Sequence, residues 1–175
     1  EILKIKKNTR LIDSTNYKVE KTLKFISFNQ NLLVQSEDLN FFSMKNFKVV
    51  SRKKPTTKQL KDLIFAFNVC KYVKSNAIVL ASNQTTVGIG SGQPSRLDSC
   101  ELAVKKMKRF QNPKENIVAA SDAFFPFTDG IQKLVQSGVS AVIQPSGSIR
   151  DKDIIKFANE TNTILVFSKT RHFRH

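Results

Sequence analysis

The stretch that decides the fold is residues 117–167, IVAASDAFFPFTDGIQKLVQSGVSAVIQPSGSIRDKDIIKFANETNTILVF. Short apolar runs alternate there with helical patterns: runs at 117–120, 141–144 and 163–167, helices at 130–137 and 151–161. Short strands alternating with helices predict an α/β fold with a parallel or mixed sheet and right-handed crossovers.

Working outward, the preceding residues extend the same pattern. Thr56 or Thr57 is placed to cap an amphipathic helix of about 16–18 residues, and apolar strands follow at 77–81 and 85–89. Ser95 and Asp98 form a capping pair for a second helix. Upstream, residues 22–35 predict a hairpin and 47–50 a short strand. We therefore expect a main subdomain at 55–175 and, at 1–54, a small strand-rich lobe or linker.

Composition narrows the class of protein. The chain has 175 residues, of which 40% are apolar and 25% charged, as is typical of a globular domain. No run approaches the roughly 18 consecutive apolar residues of a membrane span, so we expect a cytoplasmic protein with no membrane partner. The first residue is Glu1, which we take to indicate part of a longer protein.

The charge is strongly basic, with 29 Lys and Arg against 14 Asp and Glu and a net charge of +15. A basic domain usually meets anions, and nucleic acid is one alternative. Lysines outnumber arginines and are scattered, which favours a solvated surface and argues against nucleic-acid binding. Two cysteines without further ligands cannot form a zinc site, so Cys70 and Cys100 are predicted to be buried and reduced.

Two loops contain polar groups that could either bind a ligand or serve the local backbone structure. Asn76 could hold a carboxamide or amine through its own amide, or it could simply end the preceding helix. The glycines of 88–92 form a flexible turn in our reading, and their backbone N–H groups could face an anion. Arg96 then opposes the dipole of the helix it begins, a conflict that a bound phosphate would resolve. A plain glycine turn is equally consistent with the pattern.

Two further segments are more distinctive. Residues 121–130, SDAFFPFTDG, place aromatic rings between two carboxylates, Asp122 and Asp129, where the rings could hold a heteroaromatic ligand. Core packing with a capping Asp129 is the alternative. The turn at 145–150, PSGSIR, exposes donor groups, and Arg171 could reach the same cleft from the chain end unless that end is frayed.

These loops together resemble AICAR transformylase, the formyltransferase half of the bifunctional purine-biosynthesis enzymes that also carry IMP cyclohydrolase. The resemblance covers nearly the whole chain and matches the family's C-terminal part. The motifs that carry it are KYVKSNA (71–77), GIGSGQPSR (88–96), SDAFFPF (121–127), IQPSGSIRD (143–151) and RHFRH (171–175).

The resemblance implies a three-layer cytidine-deaminase-like α/β/α fold without zinc. It implies formyl transfer from 10-formyltetrahydrofolate to AICAR, giving FAICAR on the route to IMP, at a site shared across a homodimer. Its AICAR-binding positions fall on four residues, the first of them also catalytic: Asn76, Arg96, Phe124 and Arg171. Its folate-binding positions fall on Leu97, Asp129, Ser148 and Ile149. A structural monovalent cation, K⁺, is carried over weakly to Asp122.

The sequence also departs from the family. The family's catalytic Lys-His pair and the cyclohydrolase domain are absent, and Thr128 stands where the family usually has Arg. Proton removal from the amine needs a histidine base, and neither His172 nor His175 matches it. We therefore expect the chain alone to bind weakly and not to catalyse. A non-catalytic deaminase-like domain is a further alternative.

Overall fold

The computed structural model describes residues 8, 10–17, 23–39, 42–110 and 115–175. Contacts divide the chain into two units, Glu1–Leu39 and Asn40–His175. In the first unit, β1 (Leu23–Phe28) and β2 (Asn31–Ser36) form the predicted antiparallel hairpin. Asn29 begins its turn at φ 51°, a left-handed conformation that Asn tolerates better than most residues.

The second unit contains a six-stranded mixed sheet in the order β3-β8-β7-β6-β4-β5. Its strands are β3 (Phe47–Val49), β4 (Ile78–Ser82), β5 (Thr85–Gly90), β6 (Ile117–Ser121), β7 (Val139–Pro145) and β8 (Ile164–Ser168). The three strands of the deciding stretch are parallel neighbours, and the remaining pairs are antiparallel. The prediction of an α/β fold with a mixed sheet is confirmed.

Helices cover both faces of this sheet. They are α1 (Thr57–Cys70), α2 (Arg96–Phe110), α3 (Thr128–Gln136) and α4 (Asp151–Glu160). Side chains alternate along each strand, so Ile78 and Leu80 pack with α2, α3 and α4, while Val79 and Ala81 pack with α1. Both faces are buried, which explains why β4 and β6 are apolar without alternation.

Helix α1 begins where the sequence placed it and ends earlier. Thr56 accepts the backbone N–H of Gln59, and the Gln59 side chain accepts the N–H of Thr56, which completes a capping box. The helix has 14 residues because its last turn tightens, with the N–H groups of Tyr72 and Val73 bonding carbonyls only three residues back.

Strand β3 lies upstream of the domain boundary expected at residue 54, and that boundary stays a prediction. Strand β3 pairs with β8 in an antiparallel register, Phe47 opposite Ser168 and Val49 opposite Val166. Residues 47–49 therefore belong to the large sheet. This pairing joins positions far apart in the chain, which local sequence patterns do not reveal.

Among the helices of the described residues, none combines the length and the hydrophobicity of a transmembrane span. Cys70 and Cys100 are free thiols, and both are buried, as predicted. Burial is the main reason that the pKa of each thiol lies above its usual value.

Candidate functional site

The strand register brings distant loops to one edge of the sheet. Ile78, at the start of β4, pairs with Gly90 at the end of β5 and with Ser121 at the end of β6. Pro145 and Ser168, the ends of β7 and β8, pair with each other. The polar segments before β4 and after the other four strands therefore meet at this edge, the carboxyl end of the parallel strands, where α/β folds usually bind ligands.

A buried ion pair lies at the centre of this edge. Arg96 Nη1 pairs with the Asp122 carboxylate, and the two side chains are 9% and 0% exposed. The same nitrogen donates to Ser121 Oγ at 2.9 Å, and Nη2 donates to Asn76 Oδ1 at 2.9 Å. The carboxylate beside it offsets the charge of this cation at a helix N-terminus.

Asn76 is held at both ends of its amide. Its Nδ2 donates to the carbonyl oxygens of Gln93 at 3.0 Å and Pro94 at 3.2 Å, while Oδ1 accepts from Arg96. These partners fix which end of the amide is oxygen. The helix-ending interpretation of Asn76 is wrong, because α1 ends at Cys70 and its C-cap is Lys71.

The glycines of 88–92 do not all lie in a turn, as the sequence analysis expected. Gly88 and Gly90 lie within β5, and a Cβ on Gly90 would stand 1.9 Å from the carbonyl oxygen of Ser99 in α2. A Cβ on Gly88 would stand 2.2 Å from the Ala103 carbonyl oxygen. These glycines let the helix backbone approach the strand, and only Gly92, at φ 66°, lies in the turn that follows. The prediction that Gly88 and Gly90 lie in a turn is wrong, because close helix packing and flexible turns favour the same residue. Anion binding by the turn that follows stays a prediction.

The chain end is anchored rather than frayed. The backbone N–H of Ser75 donates to the Arg174 carbonyl at 2.8 Å, and the backbone N–H of Arg174 donates to Ser75 Oγ at 3.1 Å. His172 is buried, and its ring centroid lies 4.6 Å from that of Phe67. The backbone N–H of His172 donates to the backbone carbonyl of Asp122 at 3.0 Å. These contacts place the terminal segment beside the Arg96–Asp122 pair.

Arg171 is thereby placed next to the aromatic loop. Its guanidinium carbon lies 4.9 Å from the Phe124 ring centroid, a cation–π contact, and a Cβ on Gly147 would stand 3.2 Å from its Nη2. Arg171 is exposed. Three segments that are distant along the chain therefore meet at this guanidinium. They are the loop after β6, the turn after β7 and the terminal residues.

The four positions assigned to folate are more open. Leu97 is half-buried in the first turn of α2, and Asp129 is exposed, its Oδ1 accepting the N–H of Gly130 at 2.7 Å. Ser148 is half-buried and its hydroxyl accepts the N–H of Arg150, while Ile149 points fully into solvent. Within the part of the chain that the structure describes, no hydrogen bond, ion pair or ring contact joins these four positions to one another.

Two residues at the centre escaped sequence reasoning. Ser75 donates to Asp122 Oδ2 at 2.6 Å, and Ser121 accepts from Arg96 while donating to the Ala123 carbonyl. Both lie inside motifs quoted above, KYVKSNA and SDAFFPF, but neither was assigned a role. We name Ser75, Asn76, Arg96, Ser121 and Asp122 the inner cluster.

Comparison with known proteins identifies the family. A family model described as "AICARFT/IMPCHase bienzyme" matches residues 1–106. The chain belongs to that family. The resemblance seen in the sequence motifs is thus confirmed at the level of the family, and the assignment to its C-terminal part stays a prediction.

Two curated relatives are similar over almost the whole chain, and each bears the name bifunctional purine biosynthesis protein PurH. The one from Buchnera aphidicola subsp. Schizaphis graminum (strain Sg) is 49% identical over 179 residues, covering 100% of this chain and 34% of the relative. The one from Persephonella marina (strain DSM 14350 / EX-H1) is 45% identical over 171 residues, covering 97% and 33%. The chain therefore spans about a third of the length of these relatives.

Proposed function

We propose that the chain is the C-terminal portion of an AICAR transformylase in purine biosynthesis. In this proposal it supplies AICAR and folate contacts for formyl transfer from 10-formyltetrahydrofolate to AICAR, which gives FAICAR on the route to IMP. The fold would be cytidine-deaminase-like without zinc, in a cytoplasmic homodimer with a shared site. Membership of the AICARFT/IMPCHase bienzyme family supports the reaction class.

The contact that best supports nucleotide binding is Arg171 over Phe124, beside the inner cluster. An exposed guanidinium can bind a phosphate or carboxamide oxygen, and the Phe124 ring offers an apolar surface to a heteroaromatic base. Arg96 is a poorer phosphate ligand, because its guanidinium is almost buried and bonded to Asp122 and Asn76. In this proposal Arg96 therefore orients Asn76.

Asn76 is the proposed catalytic residue of this portion. Its held amide would orient the poorly nucleophilic amine of AICAR and the tetrahedral intermediate that forms from it. The proton must leave to a base, and the family's Lys-His pair is absent from the sequence. In this proposal, formyl transfer therefore requires residues in addition to these 175.

A potassium ion at Asp122 remains part of the proposal. The carboxylate of Asp122 and the hydroxyl of Ser75, hydrogen-bonded at 2.6 Å, are oxygen donors of the kind that hard cations take. Within the described residues no group of three His, Cys, Asp or Glu side chains could hold a metal ion. Any cation there would need backbone or hydroxyl oxygens to complete its ligands.

Calorimetric titration of the purified chain with AICAR tests the nucleotide part. We expect weak saturable binding that Arg171→Ala reduces roughly tenfold or more, since a charge-assisted hydrogen bond is lost. Arg174→Ala is the matched control, because it removes a neighbouring exposed cation and leaves the backbone contacts to Ser75 in place. Equal affinity in both variants, or formyl transfer by the chain alone, contradicts the proposal.

Nucleic-acid binding is the second candidate, favoured by a basic groove. This groove has a volume of about 530 Å³ and is lined by Arg52, Lys152, Ile155, Lys156, Asn159 and Glu160. None of these is a predicted AICAR or folate position. Salt-sensitive binding of an RNA oligonucleotide that survives Arg171→Ala and is lost in Arg52→Ala/Lys156→Ala would favour this candidate.

A further inference from the structure

The basic groove along α4 contains positive charge that formyl transfer does not use. Its volume of about 530 Å³ lies within the usual range for small-molecule sites, roughly 300–1,000 Å³. Arg52 is held beside the start of β8, because the N–H groups of Val50 and Ser51 both donate to the Leu165 carbonyl. The inner cluster lies at the other edge of the sheet, where β8 ends. The groove is therefore separate from the predicted AICAR site.

One side of α4 forms a wall of the groove. Four lining residues recur there at positions i, i+3, i+4 and i+7 and so share one side of the helix: Lys152, Ile155, Lys156 and Asn159. Ile155 and Asn159 are half-buried, whereas the two lysines are exposed. The Asn159 side chain is fixed, because its Oδ1 accepts the backbone N–H of Arg52 at 2.7 Å. Its Nδ2 group is therefore a hydrogen-bond donor on this wall.

The positive charge of the groove is only partly neutralised. Lys156 Nζ lies 3.9 Å from Glu160 Oε1, and this exposed pair adds little to stability. Within the described part of the chain, no ion pair joins Arg52 or Lys152 to a carboxylate. Lys152 also lies in the first turn of α4, where a cation opposes the helix dipole. Three cations beside one acid attract an anion that carries more than one charge.

The chemistry of the groove favours a compact polyphosphate over a strand of nucleic acid. Lysine binds phosphate oxygens as a point charge, and arginine binds them bidentately. Sites for single-stranded nucleic acid usually contain aromatic side chains on which bases stack, and none of the six lining residues is aromatic. Lys152 and Glu160, at the two ends of the wall, are separated by about 12 Å along the helix axis. A groove of that length suits one small ligand.

We infer that the basic groove binds the phosphate chain of a small polyphosphate, either inorganic or part of a nucleoside triphosphate. The phosphate oxygens contact the three cations, and Asn159 donates a further hydrogen bond. The apolar side chain of Ile155 packs against the nucleoside where one is present. None of these residues is a predicted AICAR or folate position, so the inference adds a second ligand site to the protein.

Calorimetric titration of the full 175-residue chain with inorganic tripolyphosphate and with ATP tests the inference. We expect tripolyphosphate to bind with a dissociation constant below about 1 mM that rises with salt concentration. Arg52→Ala/Lys156→Ala should weaken binding roughly tenfold, because two charged contacts are lost. The backbone N–H at position 52 keeps its hydrogen bond to Asn159 in this variant. Asn159→Asp retains the acceptor oxygen and adds a negative charge, so it too should weaken binding.

Lys58→Ala/Lys61→Ala is the matched control. It also removes two exposed cations, but from α1, which packs on the other face of the sheet from α4. Equal weakening in the two double variants would show that the probes respond only to net charge, and it overturns the inference. Failure of tripolyphosphate to bind the wild-type chain below about 1 mM overturns it as well. So does binding of an RNA oligonucleotide, but not of tripolyphosphate, through Arg52 and Lys156.

The two probes distinguish the sources of the phosphate chain. Tighter binding of ATP supports a nucleoside triphosphate, whereas equal or tighter binding of tripolyphosphate supports the inorganic form. Arg171→Ala separates this test from that of the proposed function, because it should reduce AICAR binding and leave tripolyphosphate binding unchanged. Loss of tripolyphosphate binding in Arg171→Ala would place the probe in the AICAR site and overturn the inference.

Discussion

The inner cluster contrasts with the exposed surface formed by Phe127, Ile149 and Arg150, which we call the outer ledge. In the inner cluster, Arg96 and Asp122 are almost wholly buried and their polar atoms bond to protein partners. In the outer ledge, Ile149 and Phe127 are exposed, and the ion pair of Arg150 faces solvent. The cluster is therefore part of the fold as well as the candidate site, whereas substitutions in the exposed ledge should change stability by no more than about 0.5–1 kcal/mol.

The largest expected effect comes from breaking the pair at the centre. Asp122→Ala leaves the Arg96 guanidinium buried without its counter-charge, and we expect a loss of about 3–5 kcal/mol in the free energy of unfolding. Urea denaturation followed by circular dichroism measures this loss.

Glu101→Ala is the control for this change, because it removes an exposed ion pair between α2 and α3, in which Glu101 Oε1 lies 3.0 Å from Lys133 Nζ. That change should cost no more than about 1 kcal/mol. If the two variants lose equal stability, the buried pair does not hold the cluster together. Asp122→Asn, which keeps the shape, separates the loss of charge from the loss of packing.

The next effect concerns the close approach that positions α2. Gly90→Ala drives a Cβ against the Ser99 carbonyl oxygen, so the helix that carries Arg96 must shift. We expect a loss of about 1–3 kcal/mol in stability, because overpacking displaces the backbone. The same denaturation experiment measures it.

Thr85→Ala, at the exposed opposite end of β5, is its control and should change stability by no more than about 0.5 kcal/mol. Unchanged stability in Gly90→Ala would mean that these glycines do not set the helix position. Their role in an anion-binding turn would then have to be reconsidered.

The smallest effect at neutral pH concerns Cys100, one turn after Arg96 on α2. Burial raises the pKa of its thiol from 9.0 to about 12. The folded state favours the protonated thiol, so the associated stability is present in full below pH 9 and declines as pH rises towards 12. At pH 9, alkylation by iodoacetamide should be slower in the native chain than in urea, by roughly 500-fold from the thiolate fraction alone.

Peptide mapping by mass spectrometry measures modification of Cys100 separately from that of Cys70. Cys70 is fully buried and burial also raises the pKa of its thiol, so it too should react slowly in the native state. Native alkylation of Cys100 at the rate seen in urea would show that the helix beneath the inner cluster opens readily. The cluster would then be as accessible as the ledge, and the contrast between them would disappear.

Several features of the candidate site follow from sequence patterns, and others do not. The motif around Phe124 and the terminal Arg171 were singled out from residue type alone, and the structure brings their side chains within 4.9 Å. The ion pair between Asp122 and Arg96 could not be predicted from the sequence, because the two residues are 26 positions apart and no local pattern connects them. The predicted AICAR and folate roles themselves stay predictions.

The sequence by itself determined the alternation of strands and helices, the capping of α1 by Thr56 and the burial of both cysteines. These depend on local periodicity, local hydrogen bonds and side-chain hydrophobicity, which neighbouring residues already specify. Only the tertiary structure decided that β3 joins the large sheet, that Gly88 and Gly90 serve helix packing, and that Ser75 ties the chain end to Asp122. Each of these depends on which distant segments become neighbours, and that is set by strand register and by packing across the whole sheet.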